Sequence, residues 1–231
     1  MNWERRELVF SRYAGIYEEI FQYIYPSIDS TGFGERNLSV NFSKAYEAVA
    51  AEAGEKALSW FEFQFGPAHN LHVDAVILND TAEELLIVES KRFSMVQKKS
   101  REIKKDIGRI YELVSQLREE NGCRIDLSKV NRCYGVILAD VWPENPRKER
   151  ILESYQAGVL DPFSPDSFLN QYCYSENAIS NQEFPSLTYK VQGLKEGEWA
   201  TPYYLMSFLW EVSSLSVPLK GAPPPPRAAD S

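Results

Sequence analysis

The stretch from residue 71 to residue 92, LHVDAVILNDTAEELLIVESKR, decides how the rest of the chain is interpreted. It contains two mostly apolar runs, Leu71 to Leu78 and Leu85 to Val88. Between them, Asn79-Asp80-Thr81 has the side chains that favour a turn. The pattern predicts two strands joined by a short turn.

Charged residues interrupt this predicted hairpin. Asp74 lies inside the first apolar run, and Glu89 and Lys91 end the second, two residues apart and so on one face of a strand. A carboxylate buried in an apolar strand is costly unless a metal ion or a cation satisfies it. Two carboxylates and a lysine at adjacent strand positions therefore indicate a site. The alternative is a surface salt bridge between Glu89 and Lys91 beside a solvated Asp74.

Asp74, fourteen intervening residues and then Glu89-Ser90-Lys91 resemble the Asp…Glu-x-Lys signature of the PD-(D/E)XK nuclease superfamily. Val73 stands where the family name has a proline. The resemblance covers the core motif and the order of elements over residues 40 to 140. It implies a restriction-endonuclease-like core and a metal-dependent nuclease that cuts DNA, with RNA as a second possible substrate.

The same residues suit this chemistry on physical grounds. Hydrolysis of a phosphodiester needs a divalent cation with hard oxygen ligands, which polarises the phosphoryl oxygen and lowers the pKa of the attacking water. Two carboxylates suit Mg²⁺ or Mn²⁺. We expect Asp74 and Glu89 to be metal ligands, together with the Ser90 carbonyl oxygen. Lys91 would position the attacking water or offset charge on the phosphate.

A glutamate on the preceding helix is a further candidate. Nucleases of this superfamily often carry a glutamate on the helix before the core sheet, and Glu47 lies in a predicted helix from Phe42 to Ala53. By that resemblance Glu47 is a candidate metal ligand and catalytic residue. An exposed helix glutamate is the alternative. The only two histidines, His69 and His72, would with Asp74 allow a zinc set, which the absence of nearby cysteines disfavours.

The order of predicted elements agrees with an α/β fold. A strand, a long helix and a strand imply a crossover connection and a parallel strand pair. We therefore predict a mixed central sheet with an αβββαβ core flanked by helices. The predicted elements are helices at residues 3–25, 42–53, 94–120, 145–157 and 203–212, and strands at 58–65, 71–78, 85–91, 131–139 and 187–191.

The predicted long helix begins with a basic segment. Between Lys91 and Arg109 there are eight basic and two acidic residues, a net charge of +6, whereas the whole chain carries −8. A basic strip beside the site would suit a phosphate backbone, and a solvated helix face is the alternative. The candidate nucleic-acid contacts are Arg92, Gln97, Lys98, Lys99, Arg101 and Lys105.

Length and composition bound the remaining inferences. The 231 residues divide into an N-terminal helical extension (1–36), a nuclease-like domain (37–215) and a proline-rich, disordered tail (216–231). Three scattered cysteines and no long apolar run favour a cytoplasmic protein without a membrane span. A homodimer is expected if the protein cuts both strands of DNA. A nuclease-like fold without activity, serving as a nucleic-acid- or protein-binding module, is the alternative function.

Overall fold

A computed structural model of the chain describes residues 1, 3–24, 34–65, 71–92, 96–118, 125, 130–143, 146–157, 187–191 and 202–214. Within these ranges the side chains of residues 3, 96–101, 104, 118, 148, 213 and 214 are not described. The predicted proline-rich tail lies outside the described residues. None of the helices in these ranges is long and apolar enough to cross a membrane.

Four helices and six strands follow one another along the described part of the chain. They are α1 (Trp3–Tyr23), α2 (Glu35–Glu52), β1 (Ala57–Phe65), β2 (Leu71–Asn79), β3 (Glu84–Arg92), α3 (Val96–Arg118), β4 (Arg132–Val141), α4 (Pro146–Gln156), β5 (Leu187–Lys190) and β6 (Tyr204–Ser214). The run from α2 to β4 has the predicted αβββαβ order. The predicted mixed α/β fold is confirmed.

The strands form one mixed sheet in the order β1-β2-β3-β4-β6-β5. The pair β3–β4 is parallel, as the crossover through α3 requires, and the other four neighbouring pairs are antiparallel. Because β3 and β4 run in the same direction, their carboxyl ends meet at one edge of the sheet. There Lys91 pairs with Ala139, and Arg92 pairs with Asp140.

Helices cover both faces of the sheet. Helices α1 and α2 pack on one face and form what we call the α1–α2 core, which includes the fully buried Tyr13, Tyr17 and Tyr46. Helices α3 and α4 pack on the other face and form the α3 core, which includes Ile103 and Leu152. The central strands β3 and β4 are therefore apolar on both sides, which explains their almost unbroken apolar sequences.

Residues 203–212, predicted as a helix, form most of strand β6. Every residue from Tyr203 to Trp210 is buried, with Leu205 in the α1–α2 core and Phe208 in the α3 core. A strand buried on both faces has a continuous apolar sequence, which periodicity cannot separate from that of a buried helix. The helix prediction was wrong for this reason. β6 instead extends the sheet beyond β4.

Helix α2 begins seven residues earlier than predicted. It starts at Glu35, directly after Gly34, which lies at its N-terminal boundary with an extended backbone. At the other end the prediction is accurate, because Gly54 takes a φ of +71° and its N–H donates to the carbonyl of Ala51. The early start brings Glu35 to the edge of the sheet where β3 ends.

Candidate active site

Strands β1 and β2 both change face at the site. Glu62 lies between the paired positions that flank Asp74 and has a φ of +52°, which is uncommon for a residue with a side chain. Phe61 packs in the α1–α2 core, whereas Phe63, two residues on, packs in the α3 core. In a regular strand these two residues would share one face. The backbone of β1 is therefore kinked at Glu62, and Asp74 lies opposite this kink on β2.

A hydrogen bond joins Asp74 to the neighbouring strand. The backbone pairing of β2 with β3 ends at Ala75 and Val88. Beyond it, the backbone N–H of Ser90 donates to Oδ2 of Asp74 at 2.6 Å. The Asp74 carboxylate thus lies against β3 at the residue between Glu89 and Lys91. The structure shows the N–H of Ser90 at the site, whereas the metal-ligand role of its carbonyl oxygen stays a prediction.

Glu89 is buried and faces α3. Its side chain is 1% exposed, and its Oε1 accepts a hydrogen bond from Nε of Arg109 at 3.0 Å. Burial raises the pKa of Glu89 to about 8, and the carboxylates of Asp106 and Asp74 add to the shift while Arg109 opposes it. Burial also raises the pKa of Asp74, against the lowering effects of the Ser90 N–H and Lys91. The two carboxylates act on each other and therefore belong to one electrostatic site.

Lys91 is held by two acidic residues. Its Nζ lies 3.1 Å from Oδ2 of Asp106 and 4.0 Å from Oε2 of Glu35. Burial alone would lower the pKa of Lys91, but the attraction of Asp106, Glu35 and Glu89 outweighs it and raises the pKa above its ordinary value. Lys91 is therefore a protonated ammonium group in the same cluster as the carboxylates.

Three residues of this cluster were not recognised from the sequence. Asp106 and Arg109, three apart on α3, contact each other and reach Lys91 and Glu89 respectively. Asp106 lies beside Ile103 and Ile107 on the buried side of the helix, and a carboxylate in that position was a detectable signal. Glu35 had no such signal, because the predicted helix began only at Phe42.

The acidic residue that α2 contributes beside Lys91 is Glu35. Besides its approach to Lys91, Glu35 accepts a hydrogen bond from the backbone N–H of Arg92 at 3.0 Å. Glu47 is partly exposed near the middle of α2, and its proposed role as a ligand stays a prediction. The first turn of the helix, and not its middle, is the part that reaches the end of β3.

Asp140 lies on the opposite face of the sheet from Glu89 and Lys91. Its neighbours Ala139 and Val141 pack in the α3 core, so Asp140 points into the α1–α2 core. There its Oδ2 accepts a hydrogen bond from the Tyr203 hydroxyl at 3.1 Å. Burial raises the pKa of Asp140 to about 7, although Arg92 and Tyr203 oppose the shift. Asp140 therefore forms a second buried acidic group behind the site.

The predicted nucleic-acid contacts are only partly described. Lys105 is exposed on α3, and Arg92 is partly buried at the end of β3. The side chains of Gln97, Lys98, Lys99 and Arg101 lie outside the described residues, although their backbone belongs to α3. Of the two histidines that would allow a zinc set, His72 is exposed and His69 lies outside the described ranges.

The carboxylate oxygens of this cluster are the kind of ligand that a divalent cation such as Mg²⁺ prefers. Within the described ranges, no group of three or more His, Cys, Asp and Glu side chains is arranged to hold a metal ion. Mg²⁺, however, usually keeps several waters and takes one or two carboxylates from the protein. The cluster contains two cations, Lys91 and Arg109. It contains four carboxylates, which outnumber the cations by two: Glu35, Asp74, Glu89 and Asp106.

No protein-family model matches this chain, and neither a curated protein nor a solved structure shows significant similarity to it. The resemblance to PD-(D/E)XK nucleases therefore depends on the motif and the order of elements.

Proposed function

We propose that the chain is a metal-dependent phosphodiesterase that hydrolyses DNA, with RNA as a second possible substrate. The observation that carries the proposal is the hydrogen bond from the Ser90 N–H to the Asp74 carboxylate. It brings a carboxylate of β2 to the part of β3 that bears Glu89 and Lys91. Buried ionisable groups whose pKa values are strongly shifted are typical of functional sites.

The residues of the site have separate tasks in this proposal. Asp74 and Glu89 hold Mg²⁺ or Mn²⁺, with the Ser90 carbonyl oxygen as a third ligand. The bound ion supplies Lewis acidity toward the phosphoryl oxygen and the attacking water. Lys91 stays protonated because of the surrounding carboxylates, and it orients the water or offsets the charge that builds up on the phosphate.

Basic residues around the site would bind the nucleic-acid backbone. Arg92 follows Lys91 directly at the end of β3, and Lys105 is exposed on the helix that covers the site. Electrostatic attraction to phosphates is stronger at low salt, so we expect binding to weaken as salt increases. A homodimer would bring two such sites to the two strands of a duplex.

The proposal is tested by incubating the purified protein with single- and double-stranded DNA and RNA in Mg²⁺, Mn²⁺ or EDTA. Cleavage should require the metal and fall by about 10²-fold or more in Asp74→Asn and Lys91→Met. Glu19→Gln, which changes an exposed residue of α1, is the matched control and should cleave like the wild type. Circular dichroism of each variant verifies folding. The absence of metal-dependent cleavage of all four substrates would contradict the proposal.

A second candidate is a binding module with this architecture and no catalysis. The observation in its favour is that Glu89 and Lys91 are both already engaged by charged residues of α3. Titration calorimetry with Mn²⁺ separates the two functions. A catalytic site requires heat of binding that is lost in Asp74→Asn, whereas a pure binding module has no such heat.

A further inference from the structure

Arg109 occupies the carboxylate that the proposed cation would need. Its guanidinium Nε donates to Oε1 of Glu89 at 3.0 Å, and Glu89 is 1% exposed. A charge-assisted hydrogen bond to a buried carboxylate is stronger than one between neutral groups. A cation that binds through Glu89 must therefore compete with the positive charge of Arg109.

The neighbouring acidic residue of α3 makes the complementary contact. Asp106 lies 3.1 Å from the ammonium group of Lys91 and also contacts Arg109. Asp106 and Arg109 are three residues apart, so they lie next to each other on one face of the helix. Together they place a positive charge on Glu89 and a negative charge on Lys91.

We propose that the Asp106–Arg109 pair of α3 gates divalent-cation binding at this site, with Arg109 taking the place of the cation on Glu89 while Asp106 anchors Lys91. This inference rests on the proposed function and adds its regulation. Without metal, Glu89 and Lys91 each already have an oppositely charged partner, and the site becomes competent when Arg109 leaves Glu89.

The burial of the two α3 residues decides which of them moves. The Asp106 side chain is 2% exposed and borders Ile103 and Ile107 in the α3 core. Arg109 is 30% exposed and has a long, flexible stem, so its guanidinium can turn toward solvent while the helix stays in place. Asp106 then remains beside Lys91 and anchors it. Arg109 is the moving part of the gate.

The gate predicts that removal of the Arg109 charge strengthens cation binding. In Arg109→Met, Mn²⁺ no longer competes with the guanidinium for Glu89, and we expect its dissociation constant to fall about tenfold, the equivalent of one charge-assisted hydrogen bond. Titration calorimetry at pH 8 measures the affinity without any substrate. The matched control is Lys44→Met, which removes one exposed positive charge from helix α2. Its dissociation constant should change by less than about threefold, because exposed charges are screened by salt.

Two further variants separate this inference from the proposed function. Asp74→Asn and Asp74→Asn/Arg109→Met should both lose Mn²⁺ binding. If the wild type binds Mn²⁺ through Asp74 but Arg109→Met binds it no more tightly, the gate is refuted and the proposed function stands. If neither the wild type nor Arg109→Met shows Asp74-dependent binding, the proposed function fails and the gate fails with it.

A milder substitution keeps the test decisive if Arg109→Met does not fold. Arg109→Lys retains the charge but has a single ammonium group in place of the planar guanidinium. We expect its Mn²⁺ affinity to lie between those of the wild type and Arg109→Gln, in which the charge is absent. Equal Mn²⁺ affinity in the wild type, Arg109→Lys and Arg109→Gln would refute the gate.

Discussion

The ammonium group of Lys91 lies 3.1 Å from the carboxylate of Asp106, and Asp106 is almost completely buried. One residue comes from the end of a central strand and the other from the helix that covers it. Each charge stabilises the other in its place, because an unpaired charge in a largely apolar environment is strongly destabilising.

Asp106→Ala should therefore destabilise the fold. The substitution leaves Lys91 without its strongest partner, and we expect the free energy of unfolding to fall by about 3 kcal/mol in urea titrations. Glu112→Ala removes an exposed carboxylate from the same helix and should change stability by less than about 0.5 kcal/mol. Equal stability of the two variants would show that the buried pair contributes nothing.

Asp140 should make stability depend on pH. Its pKa is raised from 3.8 to about 7 in the folded chain, so the folded state holds this proton more tightly than the unfolded state. The contribution is fully present below about pH 4 and is lost as the pH rises through 7. Its upper bound is on the order of 4 kcal/mol, given the size of the shift. Among the described residues, the ionisable groups that act on this carboxyl or face it are Arg92, Tyr203, Tyr13, Tyr17 and Glu35.

The variant Asp140→Asn isolates this contribution. Asparagine keeps an acceptor for the Tyr203 hydroxyl but does not ionise. The free energy of unfolding of the variant minus that of the wild type should therefore be larger at pH 8 than at pH 5, as measured by urea titrations. If the difference in stability between the two proteins is the same at both pH values, Asp140 does not titrate in this range.

Gly135 on β4 should not tolerate a larger side chain. A Cβ atom at this position would overlap with the ring of Trp210 on the neighbouring strand β6. Because Trp210 is itself buried and stacks on Phe208, its ring has little freedom to move away. We expect Gly135→Ala to lower the free energy of unfolding by about 2 kcal/mol.

Gly108 on α3 provides the opposite case. A Cβ atom there meets no atom within 4 Å, and alanine is a better helix former than glycine. Gly108→Ala should raise the stability by about 0.5–1 kcal/mol in the same assay. Similar destabilisation by both substitutions would contradict the packing of Trp210 against Gly135.

The strain at Glu62 gives a test of the kink beside Asp74. With a φ of +52°, this position favours glycine, whereas Gln64, also exposed on β1, lies in the same strand without a positive φ. We expect Glu62→Gly to be neutral or stabilising and Gln64→Gly to cost about 1 kcal/mol. The difference between the two variants in thermal unfolding measures the strain. No difference would mean that the backbone at Glu62 is relaxed.

The sequence of the chain was sufficient to determine the order of the core elements and to identify Asp74, Glu89 and Lys91 as the candidate site residues that the structure brings together. The hairpin of residues 71–92 depends on local signals: two apolar runs, a turn, and the alternation that places Glu89 and Lys91 on one face. The parallel pairing of β3 with β4 follows from the length of the crossover helix. These inferences needed no knowledge of distant contacts.

Only the tertiary structure decided which charges surround those three residues. Asp106 and Arg109 are separated from Glu89 by the whole first half of α3, and Glu35 precedes it by more than fifty residues. The helix prediction for residues 203–212, which form most of β6, was wrong for a related reason. A continuous apolar sequence does not show by itself whether it forms a buried strand or a buried helix. A local sequence pattern predicts where a residue lies within its own helix or strand. The partners of a buried charge depend on how elements pack, and here that packing brings α2 and α3 to the same end of β3.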